Sequence, residues 1–329
     1  MIQVLVAGVM WALVASLLIL RRGRADRSIT YAAVTIALAM TLNVDPVYEI
    51  ADPLLGGTNI VTLIGDALLM IGLYFLGHGV MKAGEYRPRL IRLAVGRPAL
   101  FVALVIVVVL FLSIDSGATT TAFMHDIGDQ LQACFYSITV FTYCGIVMAA
   151  MHALAISQWT ATSGLMRVPA VFLTLGSASG IALCISVWVM DIAHVTGAAR
   201  ILESASAWYG PLTLASFVLL CAGFVAQPAA RILRRQFHGV RTDVLLAQLE
   251  PTWRTATKLR PGLSGRQQPN GLSADPEAQL HRHVVEIRDA MIDPRIDFVI
   301  NDYQLAVLER AEEHLLGTPI TKHNDGATP

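Results

Sequence analysis

A single carboxylate, Asp66, stands inside the otherwise apolar run Leu63-Ile-Gly-Asp-Ala-Leu-Leu69. A charged side chain at the centre of a hydrocarbon layer costs roughly 2.5–3.5 kcal/mol on insertion scales, so such a residue normally faces the interior of a helix bundle. Two chemistries suit it. It can hold a proton or a cation, or it can accept hydrogen bonds from polar groups of neighbouring segments, for which Asn43, Ser137 and Thr139 are the candidates. No Lys or Arg lies inside any apolar run, so no buried ion pair is open to it.

The remaining titratable groups offer less. His78 and His152 fall near the ends of apolar runs, where an interface role outweighs a ligand role. His125-Asp126 with Asp129, and Asp191 with His194, have the donor types for a divalent cation. Such pairs are common in polar loops, and the expectation is no metal. His281 and His283 are two apart, so on a helix they point in different directions and chelate poorly. The four cysteines, Cys134, Cys144, Cys184 and Cys221, lie in apolar runs at spacings that match no metal motif and read as buried thiols. No phosphate loop, nucleophile elbow or paired catalytic carboxylates are present. The chain therefore reads as a non-enzyme with no cofactor.

The scaffold around these residues is a membrane one. The chain of 329 residues is 55% hydrophobic and 15% charged, against about 25% charged for a soluble domain. Its apolar residues gather into seven runs long enough to cross ~30 Å of hydrocarbon: Ile2–Leu20, Ile29–Tyr48, Asn59–Met81, Pro98–Ile114, Leu131–Ile156, Val168–Met190 and Pro211–Ala230. Pro98 and Pro211 stand at run starts, where a missing backbone donor is harmless. Gly176 and Gly180 form a small-xxx-small pair that lets another helix approach, and Gly72, Gly77 and Gly79 read the same way.

Charge alternates between the loops. Arg21, Arg22, Arg24, Arg27, Lys82, Arg87, Arg89, Arg92, Arg97 and Arg167 fall in every second loop, and only Arg200 in the others. Arg231, Arg234, Arg235 and Arg241 follow the last run. The positive-inside rule then predicts a cell-membrane protein with its N-terminus outside and C-terminus in the cytoplasm. Beside a membrane these arginines suit anionic lipid better than nucleic acid.

Residues 231–329 form a second, cytoplasmic domain, following the membrane domain of residues 1–230. They hold 13 of the 24 basic and 13 of the 24 acidic residues. Thr242 is expected to cap a short helix with Leu245, Leu246 and Leu249, and Pro251 to begin another turn or two. Residues 261–275 read as a flexible insert. Asp275-Pro276-Glu277 is a strong helix start. Leu280, Val284, Ile287 and Met291 then make one apolar stripe. Asp302 is expected to cap a last helix with Leu305, Leu308, Leu315 and Leu316. So few large apolar residues make a marginal core, so the stripe is expected to dock on the membrane domain, a second protomer or a cytoplasmic partner.

Two tail segments, Pro251-Thr-Trp253-Arg254 and Val284-Val-Glu286-Ile-Arg288-Asp289, carry a resemblance. The chain resembles an actinobacterial family of seven-span integral membrane proteins with a C-terminal cytoplasmic domain of unknown function. Some members are labelled as transporters. The motif covers about fifteen residues, and the chain departs from it at His281 and His283, where members carry Tyr and Arg. The resemblance implies a shared architecture and a regulatory or transport role, with no active site to carry over.

The fold expected is all-α: a seven-helix bundle with a small helical tail. The favoured function is a membrane sensor or scaffold signalling through that tail; the alternative is a transporter of a small solute using Asp66. Reporter fusions after residues 55, 125 and 200 are expected outside, and those after 25, 90, 162 and 240 inside. Two adjacent fusions reporting the same side would overturn the seven-span arrangement.

Overall fold

The computed structural model describes residues 2–20, 27–83, 95–115, 117–121, 123–162, 164–259 and 275–316. It is all-helical, with no strand among the described residues. The chain divides into two compact units, Met1–Arg231 and Ile232–Pro329. The expected insert at 261–275 lies outside the described residues except for Asp275.

The first unit is built from α1 (Ile2–Leu20), α2 (Ser28–Leu42), α3 (Asp45–Leu54), α4 (Ile60–Ala83), α5 (Arg97–Leu112), α6 (Leu131–Ala161), α7 (Arg167–Val195) and the first part of α8 (Ala199–Leu259). Most of these helices are apolar around much of their circumference, as helices buried in lipid or protein must be. The cores of α1, α4, α6, α7 and α8 are long and apolar enough to cross a membrane. A helix satisfies most of its backbone donors and acceptors internally, as a hydrocarbon interior requires.

Three expected runs differ in form. The run Ile29–Tyr48 is two helices, α2 and α3, bent by 86°. Asn43 ends α2, Val44 is extended (ψ 122°), and Asp45-Pro46 opens α3. Proline suits the first turn of a helix and disfavours helical backbone in the residue before it, so the chain breaks where this sequence places it. The run Pro98–Ile114 is α5, only 16 residues long, or ~24 Å at ~1.5 Å per residue. The run Pro211–Ala230 is one stretch of α8, which has 61 residues. Pro211 therefore lies inside a helix and not at its start. Pro228 and Pro251 do too, each at the loss of one backbone hydrogen bond.

Glycines set how closely the helices approach. Gly65, Gly72 and Gly79 recur every seven residues along the face of α4 turned to α2. A Cβ at Gly79 would stand 2.7 Å from Ile29 Cγ1, and one at Gly72 would stand 2.8 Å from Thr35 Oγ1. Gly77 faces Val95 and Val147. Gly176 abuts α8, with its would-be Cβ 2.8 Å from the backbone nitrogen of Leu220; Gly180 abuts Met148 on α6. The small-xxx-small pair is thus spent on packing within the bundle.

In the second unit the end of α8 packs with α9 (Pro276–Ile292) and α10 (Asp302–Leu316). The expected α9 start is present: Asp275 caps it, accepting from the Glu277 backbone N–H at 3.2 Å. Two expected caps are not. Thr242 lies within α8 and bonds the His238 carbonyl four residues back, because the helix continues through Pro251. The last helix is capped by Asn301, one residue before Asp302. Gln304 N–H donates to Asn301 Oδ1 at 2.8 Å, and Asn301 N–H donates to Gln304 Oε1 at 3.0 Å, a reciprocal capping box.

The stripe expected to dock elsewhere is covered by its own unit. Leu280 and Ile287 are fully buried and Val284 nearly so, against Leu245, Leu249, Val307 and Leu308, with Met291 packed at the edge. The two halves of the motif meet across this core. Trp253 stacks on His283 with ring centroids 4.3 Å apart and donates its indole N–H to Glu286 at 2.5 Å. Arg254 pairs with Glu250 on its own helix, and Arg288 makes a two-pronged bond to Glu312 at 2.7 and 2.8 Å. Pro251 and Asp289 are exposed.

Two histidines are held inside this unit. Burial lowers the pKa of His283; burial, then His238 and Arg241, lower that of His314. Protonation of either is therefore easier in the unfolded chain. The stability they contribute is present above the unfolded histidine value of ~6.5 and is lost as pH falls below it towards the depressed folded values. In the full-length protein, hydrogen exchange of α9 and α10, corrected for intrinsic rates, is expected to quicken between pH 7.5 and 5.5. Protection that is flat across this range would contradict that account.

Candidate solute-binding cavity

The first unit encloses a cavity of about 800 Å³. Helices α1, α2, α4, α6, α7 and α8 all contribute to its wall. Its apolar lining includes Leu73, Leu76, Met148, Leu220 and Phe224. Among the described residues that line it there are three acids, Asp45, Asp66 and Asp191, and no Lys, Arg or His.

Asp66 accepts a hydrogen bond from the Tyr136 hydroxyl at 2.6 Å. The bond joins α4 to α6, and the Tyr136 ring is fully buried between aromatic neighbours. Phe111 of α5 lies 5.7 Å away centroid to centroid, and Phe123 lies 6.3 Å away edge-on. Of the donors expected for Asp66, none makes this contact. Asn43 lines the same cavity and sits against Gly65. Thr139 bonds the Phe135 carbonyl on its own helix. Ser137, next to Tyr136, faces the cavity with its hydroxyl unpartnered.

A second carboxylate stands in the same wall. Asp191 is 4% exposed, and its Oδ2 has no hydrogen-bond partner. Ser137 of α6 stands beside it in the same wall, its Oγ also without a hydrogen-bond partner. Ser216 Oγ of α8 is likewise buried, unpartnered and on the wall. Tyr209 of α8 lines the same cavity. The end of α7 meets the start of α6, where a Cβ on Gly128 would stand 3.3 Å from His194 Nδ1. The acids therefore gather at one end of the bundle. Asp66 is six residues into α4 and Asp191 four from the end of α7, or ~9 Å and ~6 Å of helix.

That end is closed by a network around Asp52. Asp52 is fully buried. It accepts from the backbone N–H of Asn59 (3.0 Å) and Val61 (3.3 Å) and from the Thr119 hydroxyl (2.7 Å). Asn59, also fully buried and at positive φ (58°), donates to the Ala118 carbonyl and accepts from Thr120 N–H and Tyr48. Tyr48 also bonds Thr62 at 2.8 Å, and both line the cavity. The network ties α3, the start of α4 and residues 118–120 together.

The other expected site residues fall elsewhere. His152 Nδ1 lies 3.1 Å from both the Thr174 carbonyl and Ser177 Oγ, bridging α6 to α7. His78 stacks on Tyr74. Asp126 is bonded by Thr120, and the side chain of His125 lies outside the described residues. No group of three or more His, Cys, Asp or Glu suited to a metal occurs among the described residues. His281 is exposed. Sequence reasoning missed Tyr136, Asp52 and Asn59, and weighed Asp191 only with His194 as a loop cation pair. Asp52 was visible only as an acid flanking an apolar run.

Comparison with protein-family models, with curated proteins and with solved structures yields no match for this chain.

Tyr136→Phe removes the donor to the half-buried Asp66 and is expected to cost about 1.5–3 kcal/mol, the range for a hydrogen bond to a charged group. Asp52→Ala strands three donors and is expected to cost more. Thermal unfolding in detergent, followed by size-exclusion fluorescence, reads both. Equal melting of Asp52→Ala and wild type would show that the network is not structural.

Proposed function

We propose that this protein is a plasma-membrane transporter that binds a small organic solute in its bundle cavity and uses Asp66 in doing so. The supporting observation is the cavity itself: about 800 Å³, mostly apolar, with a few convergent polar groups of which three are unpartnered. A small-molecule site in a protein has this composition. An intramembrane carboxylate at a helix-bundle cavity is the usual mark of a solute or proton pathway. The broken pair α2 and α3 beside the cavity agrees with this, since interrupted helices line transporter sites. The resemblance to a family with members labelled as transporters points the same way. In this reading α2 with α3, and the short α5, join the five long helices as spans, with the N-terminus outside and the tail in the cytoplasm beside anionic lipid. The reaction is binding and release, without covalent chemistry.

A sensor signalling through the tail is less well supported. Its argument rested on a free apolar stripe, and Leu280, Val284 and Ile287 are buried in the tail's own core.

The test is a melting-shift screen of organic solutes on purified wild type and on Leu183→Trp, which fills part of the cavity. A solute that stabilises only the wild type is then loaded into proteoliposomes for counterflow exchange. Exchange is expected in wild type and a loss of its pH dependence in Asp66→Asn. Binding without exchange would overturn the transport reading.

A further inference from the structure

We infer that the solute is an amphiphilic organic cation, with an ammonium-type head at the end of the cavity where Asp66 and Asp191 stand and an apolar body along the remaining wall. This rests on the reading of the cavity as a solute site.

The sign of the charge comes first. The described wall carries Asp45, Asp66 and Asp191 and no cationic side chain. An anion would find no cationic partner there and would be repelled by the acids, a repulsion weakly screened in a low-dielectric setting. The distribution comes second. Tyr136, Asp66, Asp191 and Ser137 cluster where α4 and α6 begin and α7 ends, whereas Leu73, Leu76, Leu220 and Phe224 lie deeper along their helices. A solute with one polar and one apolar end matches that gradient. The third observation is unmet bonding capacity. Asp191 Oδ2, Ser137 Oγ and Ser216 Oγ face the cavity from residues 4%, 3% and 4% exposed, and none has a partner. Buried polar atoms are normally paired; the ionised Asp191 oxygen only accepts and the two serine hydroxyls accept as well as donate, so all three can take a donor. An ammonium head supplies up to three. Phe141 and Phe217 add aromatic rings to the same wall, a residue type that attracts such cations. A bare metal ion fits poorly, because no compact set of three ligating side chains occurs among the described residues.

The experiment uses the full-length protein in lipid nanodiscs and three probes with one tail: dodecylammonium, 1-dodecanol and dodecanoate, with empty nanodiscs as background. The ammonium probe is expected to bind saturably and at least roughly tenfold tighter than the alcohol, and dodecanoate not to bind. Asp66→Asn and Asp191→Asn are each expected to weaken the ammonium probe by roughly tenfold while leaving the alcohol unchanged, the pattern of a lost charge–charge contact. Asp191→Glu keeps the charge and is expected to keep binding, which separates loss of charge from loss of fold. Equal binding of alcohol and ammonium, indifferent to the Asn variants, would overturn the cation inference and leave the solute site standing. No saturable binding of any probe would overturn both.

Discussion

A carboxylate withdrawn from water needs a hydrogen-bond donor, and in this bundle the donor to Asp66 is Tyr136. Much of the first unit serves that contact. Tyr136 is fixed by Phe111 and Phe123. Phe123 follows the segment 118–120, which is tied to Asn59 and Asp52. Those two residues also hold the turn into α4, the helix that carries Asp66. The positioning therefore closes on itself: one buried aspartate organises the backbone that presents the other. Leaving any member unpaired in a low-dielectric interior carries a penalty of a few kcal/mol, so the arrangement is all-or-none in character.

The architecture was largely legible in the sequence, because hydropathy acts over whole helices. The first apolar run and α1 coincide, and the starts of α4, α5, α6 and α7 fall within a residue of expectation. What hydropathy could not give was where a helix stops when nothing forces it to. Helix α8 runs past both ends of its apolar stretch, since a helix needs satisfied backbone bonds and not an apolar surface. The site was legible only in part. Asp66 announced itself by standing alone among apolar residues. Tyr136 did not, because an aromatic residue in an apolar run is ordinary and only the fold brings it 70 residues back to Asp66. Asp52 and Asp191 looked like loop acids because burial is a tertiary property.

The tail shows the opposite error. Its stripe of Leu280, Val284, Ile287 and Met291 was correctly seen as a buried face. Its partner was sought outside because the tail's few large apolar residues read as too small a core, yet Leu245, Leu249 and Ala256 of α8 cover it. The motif residues Trp253 and Glu286 are a clasp between these two helices.

The 86° break after Leu42 has an electrostatic side. Where α2 stops at Asn43, its last carbonyl groups end their ladder beside the cavity wall, which Asn43 and Asp45 line. The end of a helix at which carbonyls are exposed carries about half a negative charge. The start of α3 at Asp45, two residues on, carries the opposite half-charge, so the break places a local backbone dipole, and not a net charge, beside Asn43 and Asp45. Straightening α2 into α3 would remove that dipole while leaving every aspartate in place.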